Sequence, residues 1–277
     1  MNFKPKKGGG ALWGLLLGSG GFGTVIWAVH FSLVQPDERL LKWLLLTPSY
    51  LLAAVFFYLL LGAVLMNYKV DEGGITVTWG LRSIHVPWPD LTRVVRVTGR
   101  KNLGNLIGIS WPGYMVGTYH LKGLAPVKMF ATQTRDEVVV LETTRGYLGL
   151  TPADASGFIA EVQRRSGKES EVLDTSDLSE EVMGNIASED MVYMGLYALN
   201  LVLLAGLIAY QAVFFPGSGA SRTVVLLPAL GIGVLAFNIG NASRIYQFVP
   251  SGAYLIWALS LVIMLTFLTL SVVTISF

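Results

Sequence analysis

The sequence predicts a membrane-spanning α-helical protein, with about five transmembrane helices, into which one β-rich domain is inserted. That domain is expected to hold about seven antiparallel strands and a C-terminal helix. Two observations carry the prediction. Two long apolar runs precede a polar stretch at residues 67–190 and three follow it. Within that stretch apolar and polar residues alternate with a period of two, and near residue 151 the period becomes helical. The composition agrees: 53% hydrophobic and 14% charged residues lie far from the usual soluble balance.

A helix needs roughly 20 apolar residues to cross about 30 Å of hydrocarbon. Five runs qualify: Ala11–Val34, Trp43–Met66, Met191–Phe215, Thr223–Asn241 and Gly252–Phe277. The fourth is short and contains Pro228. Lys4, Lys6 and Lys7 before the first run suggest a secretory signal as the rival reading. Its apolar length exceeds the roughly 7–15 residues of such a core, so a span is expected. The domains then read as 1–66 for the tail and two helices, 67–168 for the inserted domain, 169–190 for an acidic linker, and 191–277 for three helices.

Lys and Arg concentrate on the cytoplasmic side of membrane proteins. With the N-terminus inside, only Arg39, Lys42 and Arg222 of the 20 basic residues lie outside. The expected placement is therefore the cell membrane, with N-terminus and inserted domain cytoplasmic and C-terminus outside. The absence of cysteine excludes disulfides, thiolate metal sites and thiol nucleophiles. It also makes any introduced cysteine a unique label. A net charge of +2 gives no basis for a nucleic-acid partner, and none is expected.

In the inserted domain, strands are expected at Tyr68–Asp71, Ile75–Trp79, Ile84–Val86, Thr92–Val97, Val127–Thr132, Val138–Thr143 and Tyr147–Leu150. Asp71-Glu-Gly-Gly74 supplies a turn, and Thr134–Glu137 is read as the turn joining the fifth and sixth strands. Thr151-Pro-Ala-Asp154 begins a helix of four turns, with Thr151 as its hydroxyl cap. Ala155, Phe158, Ile159 and Val162 share one face of that helix.

Three phrases in this order resemble the bacterial pleckstrin-homology (PH) family. They are Tyr68-Lys-Val-Asp-Glu-Gly-Gly-Ile-Thr-Val77, Ile84-His-Val-Pro-Trp-Pro-Asp-Leu91 and Gly146-Tyr-Leu-Gly-Leu-Thr-Pro-Ala-Asp-Ala-Ser-Gly-Phe158. The resemblance covers about 67–166 and leaves the spans unmatched. It implies a nearly closed barrel plugged by the helix, and a scaffold for protein contacts or self-association. Eukaryotic relatives that bind phosphoinositides carry Lys/Arg at the first hairpin, where donors pair phosphate. Here that turn holds Asp71 and Glu72, so phosphoinositide binding there is not expected.

Other patterns carry less chemistry. Gly18-Ser-Gly-Gly-Phe-Gly23 matches a dinucleotide fingerprint, but it lies inside an apolar run with no strand before it. Gly14, Gly18 and Ser19/Gly23 are read as small faces for helix packing. His30, His85 and His120 show no metal-ligand spacing, and no cofactor is expected. Asn200, Gln211 and Asn238 lie within spans and are expected to hydrogen-bond between helices. Arg222 and Arg244 flank the fourth span as interfacial anchors.

The segment Gly99–Met115 is read as a long, apolar, glycine-rich loop. Arg100, Lys101, Trp111 and Tyr114 in it are the candidate contact residues: they suit an anionic bilayer surface or a fold-over onto the barrel. Residues 169–190 hold eight acidic residues and no basic one, and are read as a solvated tether. No catalytic constellation stands out, so a non-enzymatic scaffold, sensor or regulator acting through protein contacts is expected. The alternative is a transporter or channel component with the domain as a regulatory module. The lipid bilayer is the one partner common to both.

Overall fold

A computed structural model describes residues 1–99, 102–134, 137–179, 182, 184–214 and 224–273. Among the described residues five helices are long and apolar enough to cross a membrane. They are α1 (Gly10–Ser32), α2 (Arg39–Val64), α4 (Met191–Phe214), α5 (Leu226–Tyr246) and α6 (Pro250–Val273), with the short α3 (Ala155–Ser166) between the second and third. Pro228 is the third residue of α5, where a helix has no internal use for the missing N–H. α5 runs to Tyr246, beyond the Asn241 expected from the sequence. By its contacts the chain forms two compact units: residues 1–16 with 56–184, and residues 17–55 with 185–277.

The first unit contains two sheets. β1 (Asn2–Phe3), β2 (Asn67–Val70), β3 (Gly74–Trp79) and β4 (Arg82–Pro87) form an antiparallel sheet in that order. β5 (Leu91–Thr98), β6 (Leu103–Trp111), β7 (Tyr114–Leu121), β8 (Pro126–Ala131), β9 (Val138–Thr143), β10 (Gly146–Leu150) and β11 (Ser170–Asp174) form a second sheet. Its order is β11-β5-β9-β10-β8-β7-β6. This sheet is mixed rather than antiparallel throughout, because β10 runs parallel to β8 and β11 parallel to β5.

The expected β8–β9 hairpin does not form. The β9–β10 hairpin places β10 on the flank of β9, and β8 then pairs with the far side of β10. Gly149 makes that close approach possible, since any side chain on it would strike Met129 and Val127 of β8. The segment expected as a loop is the β6–β7 hairpin, turning at Pro112-Gly113. The acidic segment is not wholly a tether either: Ser170–Asp174 adds the edge strand β11.

Both faces of the second sheet are buried. One face meets the first sheet and α3 in a core that includes Tyr68, Ile75, Leu91, Tyr114, Phe130, Leu150 and Phe158. The other gathers Val95, Val97, Tyr119, Leu121, Val127, Met129 and Val140. Leu103 of edge strand β6 and Leu173 of edge strand β11 both pack on that second core, so the sheet is curled round it.

Helix α3 buries Ala155, Phe158, Ile159 and Val162, the stripe that its period requires. It is three turns long, and Asp154 rather than Thr151 caps it, with Asp154 Oδ1 accepting from Gly157 N at 2.8 Å. Thr151 is drawn into the fold instead, its Oγ1 accepting from Thr132 N at 2.9 Å. Removing the cap by Asp154→Ala should cost about 1 kcal/mol, whereas Asp154→Asn should be near neutral. Amide hydrogen exchange at Gly157 and Phe158 in the full chain measures the difference.

In the second unit, α4, α5 and α6 pack round Tyr193, Leu204, Leu235, Ala242, Tyr246, Trp257 and Met264. Asn200 is fully buried and donates to the carbonyls of Leu196 and Trp257 at 2.9 and 3.1 Å, the second bond crossing from α4 to α6. Gln211 donates to Val224 O at 2.5 Å. Asn238 is half-buried. The fingerprint-like glycines lie in unbroken helix, with open space beside Gly20, Gly21 and Gly23. At Gly14 the packing expectation is met: a side chain there would strike Leu60 and Trp111. Arg222 lies outside the described residues.

Candidate functional site

Arg100 and Lys101 lie outside the described residues. Trp111 and Tyr114 face each other across the turn of the β6–β7 hairpin, with ring centroids 4.4 Å apart. Tyr114 is buried at 1% exposure and therefore is not a surface contact residue. Its hydroxyl accepts from Trp79 Nε1 at 2.6 Å. Burial pushes its own pKa well above the usual phenol range, so it stays a neutral hydroxyl. Trp111 is half-buried and donates from Nε1 to Gly10 O at 2.7 Å.

These rings grip the domain-side ends of the first two helices. Trp111 packs on Phe56 of α2 at 5.1 Å and lies against Gly14 of α1. Trp79 meets Tyr58 of α2 edge-on at 5.6 Å and sits over Gly62, where any side chain would strike the indole. The Trp79–Tyr114 bond joins the two hairpins, so the tips of β3–β4 and β6–β7 share one aromatic cluster. The indole N–H groups of Trp79 and Trp111 and the Tyr114 hydroxyl each have a partner inside the fold.

The N-terminal tail completes the attachment. β1 pairs with β2 in the register Asn2↔Lys69 and Phe3↔Tyr68. Lys6 N donates to Thr151 O at 2.8 Å, Ala153 N to Lys4 O at 2.9 Å, and Thr132 Oγ1 to Lys6 O at 2.6 Å. Phe3 packs edge-on against Phe158 of α3 at 5.2 Å. Sequence reasoning missed this strand, because a two-residue strand has no period to read. The one available signal was Phe3 standing alone among polar and basic neighbours.

The acidic turn is a small self-contained structure. Asp71 accepts from Gly73 N at 3.1 Å and pairs with Lys69 Nζ at 3.2 Å. The bond from Lys69, then that from Gly73, holds its carboxyl below the ordinary carboxylate range. Trp88 Nε1 donates to Glu72 O at 2.9 Å, fixing the turn to the segment after β4. With Met1 and Arg165 these residues line a shallow depression. Arg165 is itself paired: it and Arg164 bind Glu161, at 2.5 and 2.8 Å. Those bonds, Arg164 first, hold the Glu161 carboxyl at about 2. A phosphate at this turn would therefore meet two carboxylates and an arginine that already has an anion.

The histidines are dispersed. His30 Nε2 lies 3.2 Å from Tyr50 Oη, and His85 Nδ1 lies 3.0 Å from Thr76 Oγ1 on the neighbouring strand. Burial, then Lys122, lowers the pKa of His120. Among the described residues no three His, Asp or Glu side chains converge as a metal would need.

A second cluster stands at the start of α4. Asp190 Oδ1 accepts from Val192 N at 2.8 Å and Tyr193 N at 3.0 Å, capping the helix. Oδ2 accepts from Tyr246 Oη at 2.7 Å, at the end of α5, and from Tyr254 Oη at the start of α6. One carboxylate thus joins α4, α5 and α6. Sequence reasoning had counted Asp190 among the acids of a solvated tether. The signal that it differs was its position, directly before the apolar run.

These features define a class: a membrane protein with five apolar helices that carries a two-sheet β domain closed by one helix. Residues 66–166, which form that domain, match the family model of the bacterial PH domain. No curated protein and no solved structure matches the chain.

Proposed function

We propose that this protein is a non-enzymatic scaffold or regulator of a membrane assembly, in which the PH domain receives a protein partner on the cytoplasmic side. One observation carries the reading: the Trp79–Tyr114–Trp111 cluster and the tail fix the domain to the ends of α1 and α2. A partner that binds this domain is thereby coupled to two spans without a flexible linker in between. Protein is the favoured partner because the first hairpin presents Asp71 and Glu72, which repel a phosphoinositide headgroup. The pairing of β1 with β2 supports N-terminus and domain lying on one side, and the distribution of Lys and Arg supports that side being the cytoplasm. The hydrogen bonds of Asn200 to helix carbonyls favour a packing role for it over the pore lining that a channel component would need.

The test uses the absence of native cysteine. Lys168→Cys at the exposed end of α3 should react with a membrane-impermeant maleimide only after the cells are opened. Labelling in intact cells would reverse the orientation. Mild-detergent purification of the full chain should retain a protein partner or a defined oligomer, and Glu72→Lys with Asp71→Lys should not create binding to phosphoinositide-free vesicles. A purified monomer without partners that moves solute across proteoliposomes would overturn the scaffold reading.

A further inference from the structure

The two-residue turn Gly80-Leu81 closes the β3–β4 hairpin, with Trp79 paired to Arg82 across it. Gly80 has φ +57, the left-handed value that such turns require. The hairpin tip lies against α2: a side chain on Gly80 would stand 3.4 Å from Gly62 Cα, and Trp79 covers Gly62 itself. Gly62 lies four residues before the end of the apolar run at Met66, or about 6 Å inside it at the rise of a helix. The next residue in the turn, Leu81, is 78% exposed, more than any other large apolar residue of the β domain. Arg82 beside it is exposed as well. The turn thus stands beside the last turns of a helix that is long and apolar enough to cross a membrane.

We propose that the β3–β4 tip is a membrane-insertion element: Leu81 enters the headgroup–acyl boundary of the leaflet around the C-terminal end of α2, and Arg82 meets lipid phosphate there. The occupant we propose is lipid rather than protein because Gly62, which the tip touches, lies within the apolar run of α2. Apolar insertion flanked by a basic residue is the arrangement of interfacial anchors generally. This site is separate from the acidic first hairpin, so the domain contacts the bilayer without a phosphoinositide pocket. The inference rests on α2 crossing the membrane, not on the identity of any protein partner.

The experiment places single cysteines in the full chain, labels them with an environment-sensitive nitrobenzoxadiazole dye, and reconstitutes the protein in phosphatidylcholine–phosphatidylglycerol nanodiscs. Leu81→Cys is compared with Ile107→Cys, whose exposure of 77% is matched but which stands four residues back from Trp111 on β6. Leu52→Cys in the middle of α2 reports whether that helix is in lipid. The dye at 81 should be quenched by lipids carrying a nitroxide on a shallow acyl carbon, and iodide should quench it at least about twofold less than at 107. Iodide access at 81 equal to that at 107 overturns the proposal. So does shielding from both quenchers, which would mean a protein cover. If the dye at 52 is not quenched by lipid, the span assignment of α2 fails, a result distinct from failure at the tip.

Discussion

Asp190→Ala is expected to loosen the packing of α4, α5 and α6 by roughly 3–5 kcal/mol, more than a single polar substitution near a helix end usually costs. The carboxylate does two jobs at once. Oδ1 caps α4 through the amides of Val192 and Tyr193, which contributes about 1 kcal/mol. Oδ2 accepts from Tyr246 and Tyr254, and hydrogen bonds to a charged group contribute about 1.5–3 kcal/mol each, with the lower end applying at this part-exposed, solvent-screened site. Asp190→Asn separates the two jobs, since Asn caps as well as Asp but accepts these phenols as a neutral group. It should lose about half as much as Asp190→Ala. The pH dependence has a definite sign. The bond from Tyr254, then those from Tyr193 N and Tyr246, holds the folded-state carboxyl at about 2, below its ordinary value of 3.8. The unfolded chain therefore takes up the proton first as pH falls. The contribution of Asp190 is complete above about pH 5 and is lost as pH falls from about 4 towards 2. Unfolding of the purified protein in mixed detergent, followed at pH 7 and pH 3, measures both effects. Equal stability of Asp190→Ala and wild type at pH 7 would remove Asp190 from its place as the joint.

The elements with a strong period were legible and those held by distant contacts were not. The apolar stripe Ala155, Phe158, Ile159 and Val162 could be read because a helix repeats within a single window. The strands from Tyr68 to Val86 could be read because one face is buried and the other wet. The β6–β7 hairpin hid behind its own glycines, which lower strand propensity wherever they occur. Gly108 and Gly117 are there because they pair across the hairpin under the Tyr119 ring, a fact that no local rule reveals. The order of β8, β9 and β10 was illegible for a similar reason: a polar turn between two strands does not say whether a third will enter between them. At the candidate site, Trp111 and Tyr114 stood out by residue type. Their partners Trp79, Phe56 and Gly10 lie 32, 55 and 101 positions from Trp111 in the chain, and only the fold brings them together. Asp190 was legible in principle, since an acid directly before an apolar helix is a capping signal, but seven neighbouring acids masked it.

Gly113→Ala is expected to detach the N-terminal tail and the start of α1 from the β domain while leaving the core of that domain folded. Gly113 has φ +79 at the turn of the β6–β7 hairpin, and alanine in the left-handed region costs roughly 1–2 kcal/mol. There is no room for the added carbon either: it would collide with the backbone of Gly8 and Gly10, and neither is the movable end of a side chain. Overpacking against a rigid neighbour costs about 1–3 kcal/mol more. Gly8 and Gly10 present the reciprocal problem, since a side chain on either would meet Gly113. Three glycines thus let two backbones touch where the hairpin meets α1, and Trp111 Nε1 binds Gly10 O beside them. The total of about 2–5 kcal/mol is comparable with what the tail contributes through its few hydrogen bonds to Thr151, Ala153 and Thr132. The chain is therefore expected to release the tail rather than unfold the sheets. Hydrogen exchange should show lost protection at Lys6, Val70 and Ala153, whose amides bond across this attachment, and unchanged protection at Val139–Leu141 in the centre of the second sheet. Gly20→Ala and Gly21→Ala in α1 serve as controls: open space surrounds both, and neither should change protection in the β domain. Retained protection at Lys6 and Ala153 in Gly113→Ala would show that the hairpin can shift to admit a methyl group and that the tail stays attached to the domain.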